Sequence, residues 1–200
     1  MTKKPKFYKS DVMSVLNLNV SEIVSTGHPG VEYAALIAGF KHSNTQLEIG
    51  GFIPLDYRTK KGPMPELKRF GIKPLKNRAY EAAIEANVKK TDVVMTLFED
   101  QSDTDWTYYV SDMAQKHKKI YMYYGNPDLI QISNAFIFNM GYLVNNRYSR
   151  EEYNRIQKEG LKVYFTGPRE HKRPGVQKTS REFFIKLLEK ISIEPYRSPK

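Results

Sequence analysis

Five short β-prone runs separated by helix-forming stretches constrain this chain more than any other feature. Residues 23–26, 47–53, 92–98, 119–124 and 161–165 are rich in branched and aromatic side chains, as buried strands are. Between them, residues 31–40 set Tyr33, Ala34, Leu36, Ile37 and Phe40 at helical spacing. Residues 77–90 carry Ala79, Ala82, Ala83 and Ala86 behind Asn77, a good cap. Further helices are expected over 106–117, within 128–148, and over 180–191 with Ser180 as cap. Strand–helix alternation predicts an α/β fold: a single Rossmann-like, doubly wound, mainly parallel sheet with helices on both faces. The expected organisation is a basic arm over 1–18, the domain over 19–192 and a tail over 193–200.

A parallel sheet gathers the carboxyl ends of its strands along one edge, where ligands bind. Three polar loops should meet there: TGHPG at 26–30, EDQSDT at 99–104 and TGPREHKRPG at 166–175. A fourth segment, 54–74, has four prolines and two glycines; polar loops of that length are usually functional or disordered.

Charge bears on what such an edge would bind. The net charge is +10, with eight Lys/Arg against three Asp/Glu in 61–90 and the reverse bias, three against seven, in 91–140. This admits nucleic acid through its phosphates, but a solvated lysine-rich surface is the commoner meaning. Neither zinc-finger spacing nor an RNA-binding aromatic motif is present. Cysteine is absent, which removes disulfides, thiolate metal ligands and a cysteine nucleophile. No run of about 18 apolar residues suggests a membrane span, and the basic start lacks a secretory core. A cytoplasmic protein is expected.

Thr26, Gly27, His28, Pro29 and Gly30 form a strand-to-helix turn. Glycines there allow a phosphate to approach helix-terminal amides, yet the spacing fits neither GxGxxG nor a Walker loop. From spacing alone, a tight strand-to-helix corner is the favoured reading. Thr104 and Thr107 read as capping hydroxyls or oxyanion ligands. Asp100, Asp103 and Asp105 read as a solvated acidic loop or a cation site. Arg58, Lys60 and Arg169 suit a phosphate or carboxylate. No GxSxG elbow and no HExxH helix marks hydrolytic chemistry.

Together these stretches resemble the putative molybdenum carrier family, a branch of the SLOG superfamily of Rossmann-like nucleotide-ligand binders. That superfamily also holds the lysine decarboxylase-like phosphoribohydrolases. The family's opening GGQTGVDRAAL is similar to STGHPGVEYAAL at 25–36, and its GWCPKGRRAEDGPIP to GFIPLDYRTKKGPMP at 51–65. Tyr80, Asn87 and Asp92 fall on a third block, and VYFTGPREHKRPG at 163–175 resembles its closing LNVAGPRESxxPG. The resemblance implies ligand contacts from Thr26 through Gly30, Glu32, Pro54, Arg58, Lys60, Tyr80, Asn87, Asp92, Thr104, Thr107, Gly167 and Arg169. It implies binding of molybdenum cofactor or a nucleotide-derived signal, and assembly into a homo-oligomer. The departures bear on both points: loss of the glycine pair with carboxylates gained disfavours an anionic group at that loop, and loss of the catalytic glutamate disfavours hydrolysis. The glycine pair of GGTxxT is replaced by Ser102-Asp103, and Thr107 stands where the phosphoribohydrolases carry their catalytic glutamate. Non-catalytic capture of a phosphate-bearing, nucleotide-like molecule is therefore the leading expectation. Nucleotide cleavage using Asp92, Asp103 or Glu170 comes second, and a single-stranded nucleic-acid module third.

Overall fold

In the computed structural model, residues 20–42, 47–134 and 148–191 are described. The expected arm and tail, and the part of the helix expected within 128–148 that follows residue 134, lie outside them. The strands are β1 Val20–Val24, β2 Glu48–Ile53, β3 Arg58–Thr59, β4 Gly62–Pro63, β5 Ile72–Pro74, β6 Val93–Leu97, β7 Ile120–Tyr124 and β8 Leu161–Thr166. The α-helices are α1 Val31–Lys41, α2 Tyr80–Lys90, α3 Thr104–Lys116, α4 Leu129–Asn134, α5 Arg150–Glu159 and α6 Val176–Ile191. Six strands make one sheet in the order β5-β2-β1-β8-β6-β7, and every neighbouring pair is parallel. The α/β doubly wound fold read from the sequence is what forms. The last of the described strands, β8, lies at its centre, between β1 and β6.

The two-residue period of a strand sorts side chains onto opposite faces, and here it builds two cores. Ile23, Met95, Val163 and Phe165 point to the face covered by α1, α4, α5 and α6. Their neighbours Val24, Val94 and Tyr164 point to the other, against Ile84 and Val88 of α2 and Trp106, Val110 and Ala114 of α3. A third cluster joins Leu36, Ile53 and Ile72 to Leu67 and Phe70. It anchors the segment after β2, whose two 3₁₀ turns at Leu55–Tyr57 and Pro65–Phe70 flank the β3–β4 ribbon.

Several local expectations change. The segment 54–74 is ordered and ends in β5, a sheet strand of only three residues; Pro74 has no amide and takes its last position. Phe40, counted on the buried face of α1, is 57% exposed, whereas Val31, Ala35 and Ala38 are buried. Helix α2 begins at Tyr80, and Asn77 instead accepts from the Ala79 amide at 2.8 Å as a turn. Ser180 is not a cap, because α6 already begins after the Pro174-Gly175 turn; the serine is buried inside the helix.

Helix α5 is absent from the periodicity reading, although Ser149-Arg-Glu-Glu152 spells a capping box. The Ser149 hydroxyl accepts the Glu152 amide at 3.2 Å, and the Glu152 carboxylate accepts the Ser149 amide at 2.9 Å. Ser149→Ala should cost about 1 kcal/mol, read as a lowered urea midpoint at constant m. An unchanged midpoint would mean that the packing of Ile156 alone holds this helix.

Candidate functional site

The three rim loops meet. Gly30 bridges to Arg169, the Glu170 amide donates to the Pro29 carbonyl at 2.8 Å, and the Val31 amide to the Pro168 carbonyl at 3.3 Å. The Asp103 carboxylate, at the start of α3, accepts from Arg169 Nε at 2.7 Å, from its terminal nitrogen at 2.6 Å and from its amide at 3.1 Å. A fork-to-fork ion pair thus joins the loop after β6 to the loop after β8.

Beneath this pair lies a buried polar network. Glu32, in the first turn of α1, is 2% exposed. Its Oε1 accepts from Tyr164 at 2.6 Å and Thr166 at 3.0 Å, and its Oε2 contacts the amide and hydroxyl of Thr26. Trp106 Nε1 donates to Thr166 at 3.1 Å. No cation takes part, so burial opposes ionisation and raises the Glu32 carboxyl above its ordinary range. His28 is also 2% exposed; its Nδ1 lies 2.8 Å from the Thr26 hydroxyl. Its ring meets Tyr80 edge-on at 5.0 Å and Trp106 at 5.2 Å. Its Nε2 is buried without a partner, which is uncommon for a polar atom in a native interior.

Positive charge frames that atom. The Arg169 guanidinium lies over Trp106 at 4.5 Å and Lys60 over Tyr80 at 5.0 Å, both within cation–π range. Burial first, then the charges of Arg169, His171 and Lys60, push the His28 imidazole down to about 3. His28 is neutral at ordinary pH.

The structure does not make the first turn a cradle of free amides. Thr26 N–H donates to Glu32, Gly27 N–H to the Ser25 hydroxyl at 2.9 Å, His28 N–H to the Thr26 hydroxyl and Gly30 N–H to Gln177 at 3.2 Å. Nor do its glycines face open space. A Cβ on Gly27 would stand 2.8 Å from Leu67 Cδ2, and one on Gly30 would stand 2.5 Å from the Pro168 carbonyl oxygen. Their small size lets segments pack; what the turn presents is the His28 ring.

Of the residues singled out from sequence, Thr26, His28, Glu32, Lys60, Tyr80 and Arg169 come together here. Pro54 is buried at the end of β2, and Arg58 is exposed on the β3–β4 ribbon. Gly167 is buried against the Leu97 carbonyl, and Thr104 opens α3. Thr107 donates its hydroxyl to Glu99, whose other oxygen accepts the Gln101 amide at 2.8 Å. Asn87 is fully engaged elsewhere, exchanging 2.8 Å bonds with both backbone groups of Phe52 and donating to the Ala83 carbonyl. Asp92 precedes β6 at the opposite end of the sheet, held by Arg155 and the Lys162 amide. Asp100 pairs with Arg173 at 3.2 Å. Among the described residues no group of three or more His, Asp or Glu side chains could hold a metal.

Sequence reasoning missed Trp106, Tyr164, Thr166 and Gln177. The signal for Trp106 was available: the only tryptophan of the chain stands just after a rim loop. Nothing local marks Tyr164 and Thr166, since a strand's two faces look alike until the sheet assembles.

Residues 23–188 match the model of the circularly permutated YpsA SLOG family. The crystal structure of a putative molybdenum carrier protein from Syntrophus aciditrophicus is similar, with a TM-score of 0.59 and 21% identity. The match covers 88% of this chain and 97% of that one. A search of the curated proteins found no match.

Proposed function

The chain belongs to the circularly permuted YpsA SLOG family, and from that premise we propose that it captures a phosphate-bearing, nucleotide-like small molecule at the sheet's carboxyl-end rim without transforming it. One observation carries this reading. A buried, neutral imidazole nitrogen without a partner sits between two aromatic walls, Tyr80 and Trp106, each with a cation laid on its face. Aromatic faces suit a base or a pterin, and cations suit a phosphate. Molybdenum cofactor, a pterin phosphate, meets both needs, and so does a nucleotide-derived signal.

Capture is favoured over cleavage by the state of the carboxylates that cleavage would draw on. A general acid or base must be free to exchange a proton with the substrate. Both oxygens of Asp103 are held by Arg169, and Asp92 lies at the far end of the sheet. Glu170 accepts the Gly175 and Gln177 amides at 2.7 and 2.8 Å.

The test is mass spectrometry of small molecules released from the purified protein, then thermal shifts with nucleoside monophosphates, cyclic dinucleotides and pterin phosphates. Ligands should raise the Tm by mass action and be recovered unchanged. Lys60→Glu should weaken binding about tenfold or more without lowering the Tm of the free protein, because Lys60 is exposed. Turnover would select the enzyme reading instead. Salt-sensitive DNA binding with indifference to every nucleotide would select the nucleic-acid one.

A further inference from the structure

We infer that His28 presents an Nε2–H donor to an anionic oxygen of the ligand, and that Glu32, acting through the Thr26 hydroxyl, fixes this tautomer. The inference deepens the binding reading above and rests on it for the ligand, but its central claim concerns the free protein.

The argument follows the protons. An indole nitrogen only donates, so Trp106 Nε1–H gives its proton to the Thr166 oxygen, and the Thr166 hydroxyl must turn its own toward Glu32 Oε1. Tyr164 donates to the same Oε1. Both hydroxyls at Oε1 are thus used as donors, whereas Oε2 faces the Thr26 amide and a hydroxyl still able to accept, so Oε1 is the carbonyl-like oxygen of the acid. Glu32 is enclosed with no cation among its partners, and burial outweighs the hydrogen bonds of Thr26, Tyr164 and Thr166 that favour its ionised form, so we take it as protonated. That proton belongs on Oε2, the oxygen against Thr26. The Thr26 hydroxyl accepts it and has one proton left to give. Its remaining partner is His28 Nδ1 at 2.8 Å. Nδ1 is therefore an acceptor, and in a neutral imidazole the proton then sits on Nε2.

Nε2–H is thus a donor with nothing to donate to, near Arg169 and Lys60, whose positive charge the Asp103 carboxylate offsets in part. An ionised Glu32 would reverse the chain: Thr26 would donate to the carboxylate, and His28 would have to donate from Nδ1, leaving a lone pair that repels an anion. Glu32 accordingly acts as a positioning residue and His28 as the contact. Tyr80, whose ring packs against His28, is half-buried, and the exposed Lys60 lies over it at 5.0 Å.

The experiment is ¹⁵N NMR of the His28 ring in the whole protein, first free and then titrated with inorganic phosphate and adenosine monophosphate as probes. The expected result is a proton on Nε2 and none on Nδ1 in the free wild-type protein. Glu32→Gln should keep the same pattern, since its amide is a permanent donor toward Thr26. Either probe should shift the Nε2 and Hε2 signals. His28→Phe should weaken probe binding about ten- to a hundredfold, the range for one hydrogen bond to a charged group, and His28→Gln should restore much of it. A proton on Nδ1 in the free protein overturns the inference even if ligands bind. An Nε2–H that ignores probes which still raise the Tm overturns the contact while leaving capture at the rim in place. No response by either measure overturns both.

Discussion

Gly51→Ala should be among the most destabilising single-methyl changes in this protein, costing about 3 kcal/mol or more, read as a lowered urea midpoint at unchanged m. Gly51 has φ +139°, and a Cβ there would stand 2.1 Å from the Ser25 carbonyl oxygen, 2.8 Å from the Ser25 nitrogen and 2.7 Å from Asn87 Oδ1. None of these neighbours can retreat. The Ser25 amide donates to Gly50 at 2.9 Å, and Asn87 is pinned by three bonds to Phe52 and Ala83. A methyl group must therefore push β1 and β2 apart, directly below the turn that carries His28. Gly62→Ala separates the two causes, because Gly62 has φ +108° with nothing within 4 Å of its Cβ. Backbone strain alone should cost it about 1–2 kcal/mol. Equal losses at the two positions would show that close strand packing is not what Gly51 provides.

Gly51 also marks where sequence reading stops. The pair Gly50-Gly51 looks like an interruption of a strand, yet β2 runs unbroken from Glu48 to Ile53. Glycine weakens a strand in general, but here another backbone approaches so closely that only glycine fits. The long strands and helices were legible because each carries its own period and composition. Strand β5 was not, since three residues carry no period, and its place follows from β2 offering an open edge. Helix α5 was legible through its capping box and was lost to the polarity of its exposed face. The meeting of the three rim loops follows from parallel topology alone and could be stated in advance. The chemistry inside them could not. His28 reads as a surface residue on a polar loop, and its burial depends on Tyr80 and Trp106 arriving from helices 52 and 78 residues further on. Glu32 reads as an ordinary acidic first-turn residue; two of the three hydroxyls around it come from β8, more than 130 residues away. Tertiary contact, which local pattern cannot encode, converts both side chains from solvated to buried.

Burial of these two groups fixes how stability should depend on pH, and their signs are opposite. The His28 pKa falls from 6.5 to about 3, chiefly through desolvation and then through Arg169. Its contribution is complete above pH 6.5 and is lost as pH falls toward 3, because the unfolded chain takes up a proton that the folded chain refuses. Between pH 6.5 and 4 the loss should be about 3 kcal/mol. Glu32 is raised above 4.5 by desolvation, against the opposing hydrogen bonds of Thr26, Tyr164 and Thr166. Its contribution is complete below pH 4.5 and is lost as pH rises through the raised folded value. Other groups titrate in the same window, so the measurement is a difference: urea unfolding of wild type, His28→Gln and Glu32→Gln from pH 4 to 9. Relative to wild type, His28→Gln should gain as the solution is acidified, and Glu32→Gln should gain as it is made alkaline. If the three curves ran parallel, neither side chain would be buried in the protonation state that the rim network requires. Opposite slopes would tie the neutral acid and the neutral imidazole to the folded state, which is the condition under which His28 can offer a proton to a bound anion.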